Sequence, residues 1–337
     1  MNNHIMNTHD ILEAITGSND DFLFARANEM RKWIFGSEVY LRAIIEFSNV
    51  CDKHCRYCGL RADNRKLNRY RMDGEAIQES AALAVSQGAG TVVLQSGDDT
   101  GYSMELIGEL IRTIKGAHDV AVTLSLGDRG IDEYAYWRGC GADRCLLKLE
   151  TTDPARYKDL RQGENFTARL HRVEELRRLG YEIGSGVIAG LPGTTPMDAL
   201  RDILFLTQLD LDMIAVGPFV PNPDTPLAAT PPGSVVLSQR MTAVLRLMNP
   251  KANIPATSAL DALTPGSRAT ALTRGCNVLM PSITPDSLRA DYTIYPGKNA
   301  DGLDRTESLD SARQTITAMG FVPSTSKGFS PRRSHVG

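Results

Sequence analysis

Cys51-Asp-Lys-His-Cys55-Arg-Tyr-Cys58 directly follows Tyr40-Leu-Arg-Ala-Ile-Ile-Glu-Phe47, an apolar run that reads as a β-strand. Three cysteines in a C-x3-C-x2-C spacing thus sit on the loop at a strand's C-terminal end. Three clustered thiolates can hold three irons of a cubane and leave the fourth without a protein ligand, thiolate being the soft ligand that iron–sulfur chemistry selects. A structural zinc site wants a fourth Cys or His at comparable reach, and His54 inside the loop is its candidate. A cubane with an open iron explains the spacing better.

Upstream of that strand, residues 8–36 carry apolar side chains at approximately helical spacing, broken at Thr16-Gly-Ser-Asn19. They read as a helical lead-in that covers one end of a barrel. Downstream, helices are predicted over 74–87, 104–115, 131–138, 166–179 and 197–208, and strands over 91–95, 121–125, 144–148, 182–189 and 213–216. A Pro-rich loop, 218–232, leads to a helix over 237–248, a strand near 254–257, a helix over 266–274 and a strand over 278–280. Strands separated by helices at this rhythm mean parallel βα units. The fold class is therefore α/β, a complete or nearly complete (β/α)8 TIM-type barrel, for which roughly 250 residues are typical. The expected divisions are an N-terminal helical extension over 1–36, the barrel over 37–285, and a C-terminal segment over 286–337 that closes it. A doubly wound sheet would want a Gly-rich dinucleotide turn after an early strand, which the sequence lacks.

The 337 residues are 42% hydrophobic and 23% charged, an ordinary globular composition with length enough for a large core. A formal net charge of −3, with no basic stripe interleaved with aromatics, gives no reason to expect a nucleic-acid partner. Met1 to Asp10 is polar and lacks a secretory h-region, and no apolar stretch approaches a membrane span. Cys140, Cys145 and Cys276 are scattered and read as packing residues, so cysteine usage is cytosolic and the expected location cytoplasmic.

In a TIM-type barrel the chemistry lies at the C-terminal ends of the strands. The polar residues obey that rule: Ser96-Gly-Asp-Asp99 after the second strand, Thr123 and Ser125 on the third, Lys148 and Glu150 after the fourth, Thr257 and Ser258 after the seventh. Gly97 lets backbone approach closely; the plainer reading of this stretch is an acidic βα turn. Glu150 after an apolar strand is costly unless partnered, either by a ligand hydroxyl or ammonium or by Lys148 on the same face. Arg169, early in a helix, reads either as a carboxylate ligand or as a solvated helix face. Val187-Ile-Ala-Gly-Leu-Pro-Gly193 has the small residues that let a base stack flat, and is equally a strand ending in a Pro-Gly turn. Arg42 and Arg144, charged within strands, suit an anionic substrate or a buried structural ion pair.

The cysteine spacing, with aromatic Tyr57 before the last cysteine, resembles the radical S-adenosylmethionine (SAM) superfamily. The resemblance implies one [4Fe-4S] cluster on Cys51, Cys55 and Cys58 whose open iron chelates SAM, and reductive cleavage of SAM to a 5′-deoxyadenosyl radical. Ser96-Gly-Asp-Asp99 stands where the superfamily binds the SAM amino group, which brings in Asp98. Further strings, among them Arg42-Ala-Ile-Ile-Glu-Phe-Ser-Asn-Val-Cys51, Val93-Leu-Gln-Ser-Gly97, Pro223-Asp-Thr-Pro-Leu227 and Tyr295-Pro-Gly-Lys298, resemble the [FeFe]-hydrogenase maturation radical SAM enzymes, the HydE family. That resemblance implies a role in assembly of the hydrogenase H-cluster, on a cysteine-bound Fe(CO)2CN synthon made by HydG. It also implies a reductant such as ferredoxin or flavodoxin, and HydF as a scaffold partner. Carried over by position, the SAM-side residues are Tyr57, Gln95, Ser96, Gly97, Lys148, Glu150 and Arg169. The substrate-side residues are Arg42, Thr123, Arg144, Met213, Thr257, Ser258, Tyr292 and Tyr295. Lys148 and Leu149 stand where the family pattern has Arg and His, and Ser258 where it has Thr. No cysteine follows Cys276, so an accessory cluster is not expected. Two related activities compete: a methylornithine-synthase-like mutase, or a paralogue acting on another small amino-acid-derived substrate. Biotin synthase needs further cluster ligands, for which no cysteine set exists. A plain iron–sulfur carrier would not need the polar barrel interior.

Overall fold

A computed structural model describes residues 6–299 and 302–332. Eight strands, β1 (Glu38–Ser48), β2 (Thr91–Ser96), β3 (Ala121–Ser125), β4 (Arg144–Leu146), β5 (Glu182–Ala189), β6 (Met213–Pro218), β7 (Val278–Leu279) and β8 (Val322–Ser324), form one sheet. Its order, β6-β5-β4-β3-β2-β1-β7, is parallel throughout, with β8 added on β1. Parallel bridges Met213↔Asn253 and Pro255↔Val278 carry the ladder from β6 to β7 and close the ring. The strand predicted near 254–257 is thus only two bridges long, because Pro255 has no N–H to give a ladder. Among the described residues no helix is long and apolar enough to cross a membrane.

Between the strands run α3 (Gly74–Ser86), α4 (Met104–Ala117), α5 (Ile131–Gly139), α6 (Pro154–Leu160), α7 (Phe166–Arg178), α8 (Pro196–Gln208) and α9 (Val235–Met248). They start where side chains cap them: Asp73, Ser103, Asn165, Thr195 and Ser234 each accept an amide of the first turn. Ahead of the barrel, α1 (Thr8–Thr16) and α2 (Asp20–Phe35) are separated at the expected Gly17. They pack on α8 and α9, on the flank of the barrel, where Arg240 grips Asp20 at 2.7 and 2.8 Å. The end of the barrel opposite the cysteine loop receives the C-terminal tail: the carbonyls of Lys327 and Gly328 accept from Arg144 and Arg42 inside the ring.

Side chains of a strand alternate in direction, and the ring makes that alternation decisive. On β1, Val39, Leu41, Ala43, Ile45 and Phe47 pack outward in the main core, while Arg42, Ile44 and Glu46 point into the barrel. Thr123 and Ser125 on β3, Gln95 on β2 and Met213 on β6 share that inward parity, and Val122, Leu124, Leu94 and Ile214 the outward one. The lumen is therefore a stack of layers, and depth along a strand decides which layer a residue joins.

Candidate active site

The upper layers enclose a cavity of about 330 Å³ on which Cys51, Cys55 and Cys58 all lie. Their loop is held from three sides. Arg69 donates to the carbonyls of Asn49, Leu60 and Arg61 at 2.6 to 2.9 Å. The Arg56 amide donates to Leu160 O of α6 (2.8 Å), and the Gly59 amide to Ile294 O (2.9 Å). Gly97 has to be glycine, since a Cβ there would stand 2.2 Å from Val50 O and 2.7 Å from Cys51 Cβ. That close approach lets the Asp98 amide donate to Cys51 Sγ at 3.4 Å.

Burial pushes the Cys51 thiol up to about 12 and raises Cys55 and Cys58 as well. Such thiols keep their protons until a metal displaces them. Among the described residues no Cys, His, Asp and Glu side chains converge tightly enough to hold a single metal ion. Three soft donors on one wall, Cys55 buried and Cys51 and Cys58 half-buried, fit an iron–sulfur cluster, with an amide N–H already directed at one sulfur. His54 is turned away, bonded to Asp63 at 2.9 Å and half exposed.

Gln95, Ser96, Gly97, Asp98, Lys148, Glu150, Arg169 and Tyr57 line the same cavity. Lys148 Nζ lies 3.0 Å from Glu150 Oε2. Glu150 has φ 68°, a left-handed backbone that is strained for a glutamate, and its amide shares the Gly186 carbonyl with that of Leu149. Arg169 is buried and donates to Lys148 O at 2.9 and 3.1 Å, so the solvated-helix reading does not hold.

Sequence reasoning missed Asp128, Arg161 and Lys53. Asp128 receives Arg169, Arg161 and Arg172 at 2.7, 3.2 and 3.1 Å. Burial works against its charge, but the arginines hold its carboxyl below the ordinary range. Asp98 lies behind it, accepting the Asp128 amide, with its carboxyl raised by burial. Arg161 is 4% exposed and lines the cavity directly behind α6. The signal available was position: Asp128 follows the end of β3, and Asp153-Pro154 marks a helix start before Arg161.

Met213, Thr257, Ser258, Tyr292 and Tyr295 complete the wall. Ser258 and Tyr295 share a hydrogen bond of 2.7 Å, and Gln95 donates to the Tyr292 hydroxyl at 3.0 Å. Six cationic side chains, Lys53, Lys148, Arg161, Arg169, Arg268 and Lys298, and two carboxylates, Asp98 and Glu150, line the cavity, while Glu164, Asp128 and Glu46 pair with Lys53, with Arg161 and Arg169, and with Lys298.

Arg42, Thr123 and Arg144 are not on this cavity. They lie one layer lower, around a space of about 10 Å³, and Met213 borders both chambers. Arg42 donates to Met213 Sδ (3.1 Å) and Gly328 O (3.0 Å). Burial, then the neighbouring Arg144, push Arg42 down to about 9. Arg144 meets Glu182 at 2.6 Å and Thr91 Oγ1 at 3.0 Å, and stacks 4.4 Å above the Phe329 ring. Thr123 Oγ1 and Arg42 Nε are buried without a hydrogen-bond partner. Leu149 is on neither chamber: it packs outward with Tyr157 and Phe166.

Residues 45–206 match the family model described as the radical SAM superfamily. The chain is 45% identical to the [FeFe] hydrogenase maturase subunit HydE of Thermotoga maritima, over 94% of its length and 92% of that protein. It is 28% identical to 3-methylornithine synthase of Methanosarcina barkeri, over 91% of this chain and 86% of that one. Among solved structures, methylornithine synthase (PylB) superposes with a TM-score of 0.84 at 26% identity, covering 95% of each chain. The maturase HydG of Carboxydothermus hydrogenoformans superposes with a TM-score of 0.81 at 21% identity, covering 96% of this chain and 77% of its own, a likeness of fold.

Proposed function

The chain belongs to the radical SAM superfamily and, within it, to the HydE family, and we propose that it serves [FeFe]-hydrogenase maturation by directing a SAM-derived radical onto a cysteine-bound Fe(CO)2CN unit supplied by HydG. One observation carries this reading: the three cysteines, the Lys148–Glu150–Arg169 group and the Thr257, Ser258, Tyr292 and Tyr295 group wall a single cavity. The residues that would hold the cluster and SAM and those that would hold the substrate thus share one cavity.

When bound, the cluster and SAM together supply one electron and a 5′-deoxyadenosyl radical. The protein's part is to bind, orient and keep dry. Cys51, Cys55 and Cys58 would ligate the cluster. Ser96 and Gly97 at the strand end would hold the SAM ammonium, and Arg169 would hold the SAM carboxylate. Glu150, with its neighbour Lys148, would take the ribose hydroxyls. Ile44, Leu146, Ile188 and Val220 give the cavity apolar walls that offer a radical few polar partners. Thr257, Ser258 and the two tyrosines hydrogen-bond the substrate. Arg42, Thr123 and Arg144 act from beneath, setting a positive floor under Met213. The electron comes from a ferredoxin or flavodoxin, and the product passes towards the HydF scaffold.

The test is anaerobic. The reconstituted, reduced protein is given SAM, and 5′-deoxyadenosine is quantified with and without the iron–cysteine product of HydG. A strong rise with that substrate is the expected result. Cleavage that ignores it, or that responds to L-lysine instead, rejects the maturase reading and keeps radical SAM chemistry on an organic substrate.

A further inference from the structure

The carboxylate of Glu46 is fully buried, yet it lies on the barrel's inner face next to the cysteine loop. It has three side-chain partners. Ser282 Oγ donates at 2.5 Å, Thr284 Oγ1 donates to the same oxygen, and Lys298 Nζ lies 2.9 Å from the other. The Glu46 amide in turn donates to Thr284 Oγ1 at 2.8 Å. Burial opposes its charge, and Lys298 with the two hydroxyls more than offsets that. Ser282 and Thr284 follow β7 and would satisfy Glu46 in any barrel of this form. Lys298 comes from elsewhere, at the end of a strap over residues 285–299 whose Tyr292, Ile294, Tyr295 and Lys298 line the cavity.

That strap touches both halves of the site. Its Tyr292 and Tyr295 line the cavity, and its Ile294 carbonyl accepts the Gly59 amide, one residue past Cys58. A Cβ on Gly59 would stand 2.0 Å from Thr293 O, so loop and strap lie backbone against backbone. Asn49 donates to Asp291 O (2.8 Å), and Asn222 to Thr293 O (3.2 Å). Beyond these neutral bonds, the one buried ion pair between the strap and the barrel among the described contacts is Glu46–Lys298. A buried ion pair adds little net stability over an apolar pair but fixes one arrangement, because every other arrangement strands a charge.

We propose that Glu46 and Lys298 are positioning residues that clasp the 285–299 strap onto the barrel, fixing the cysteine loop behind Cys58 and the two substrate-facing tyrosines in one register. With the clasp broken, strap and loop loosen together while the barrel stays folded. This holds whichever substrate the cavity takes.

The test is amide hydrogen exchange by mass spectrometry on the full-length reconstituted protein. Lys298→Met is the main variant, since Glu46 keeps Ser282 and Thr284 and the barrel has no stranded cation. Exchange in peptides covering Gly59 and residues 290–299 should rise tenfold or more with β2 and β3 still protected, while the unfolding midpoint falls because Glu46 keeps a buried charge without its cation. Lys298→Arg should restore protection, and the double variant Glu46→Gln/Lys298→Met should exchange as fast as Lys298→Met in both segments but recover most of the unfolding midpoint. The uncoupled share of 5′-deoxyadenosine formation should rise in step with exchange. The proposal is overturned if Lys298→Met leaves both segments as protected as the parent, if only one of them loosens, or if all strands loosen equally.

Discussion

Arg144 and Glu182 face each other across the β4–β5 pair, guanidinium to carboxylate at 2.6 Å, one layer beneath the catalytic cavity. Both side chains are 4% exposed. Removing one partner of a buried pair leaves an uncompensated charge, which costs about 3–5 kcal/mol. Arg144→Ala should therefore lower the free energy of unfolding by that amount before it touches turnover. Arg144→Met combined with Glu182→Leu should recover most of it. Denaturant unfolding of the two singles and the double closes the cycle. An Arg144→Ala protein of parental stability but no turnover would instead put this arginine on the substrate.

Cys58→Ala should remove the cluster and all SAM cleavage. The Gly59 amide bond to Ile294 O and the Arg69 staple do not depend on the thiol, so the apo fold should survive. Iron and sulfide content, the reduced-cluster electron paramagnetic resonance signal and 5′-deoxyadenosine should all fall to background while circular dichroism stays parental. Cleavage at even a few per cent of the parent would overturn the cluster assignment.

Asp202, on α8, accepts both the amide and the hydroxyl of Thr152 on one oxygen, at 2.9 and 2.6 Å. Burial raises its carboxyl from 3.8 to about 6. The shift means that ionised Asp202 costs the folded state about 3 kcal/mol at neutral pH. The sign follows from the raised value: the favourable contribution of the protonated form is complete below about pH 4 and is lost as pH rises through about 6. Asp202→Asn keeps an acceptor for Thr152 and should stabilise by about 1–3 kcal/mol at pH 7.5. The gain should vanish by pH 4. Thermal melts across that range measure it, and a gain that does not depend on pH would reject the mechanism.

Much of this arrangement is legible in the chain. Alternation of strand and helix gives the ring, and period-two parity sorts Arg42, Thr123, Gln95 and Met213 to the inside and Leu149, one residue from Lys148, to the outside. Depth is what the sequence hides. Arg42 and Glu46 are both inward on β1, yet one sits over the C-terminal tail and the other against the strap. Their layers depend on the stagger between strands and on where distant segments cross, and neither has a local signature. The Asp128 cluster was illegible for a similar reason: its arginines come from α7 and from the turn after α6, brought together only by the closed ring.

Asp128 makes the last case. Its carboxylate gathers Arg161, Arg169 and Arg172, of which Arg161 and Arg169 line the cavity. Asp128→Asn keeps the shape but leaves three guanidinium groups with no shared countercharge. Arg169 should then keep its bonds to Lys148 O but lose its ion pair, and the weaker placement should raise the KM for SAM roughly tenfold, about 1.4 kcal/mol. Because the Asp128 carboxyl lies below its ordinary value, its stabilising contribution is in place at neutral pH and is lost as pH falls through that lowered value. The parent and the variant should therefore differ most in stability near pH 7 and converge in acid, the opposite trend to that of an ionised group held up by burial alone. Equilibrium binding of SAM to the reconstituted protein, read beside melts at pH 7 and pH 3, separates the two effects. Unchanged SAM affinity in Asp128→Asn would mean that Arg169 is positioned by its backbone carbonyl alone.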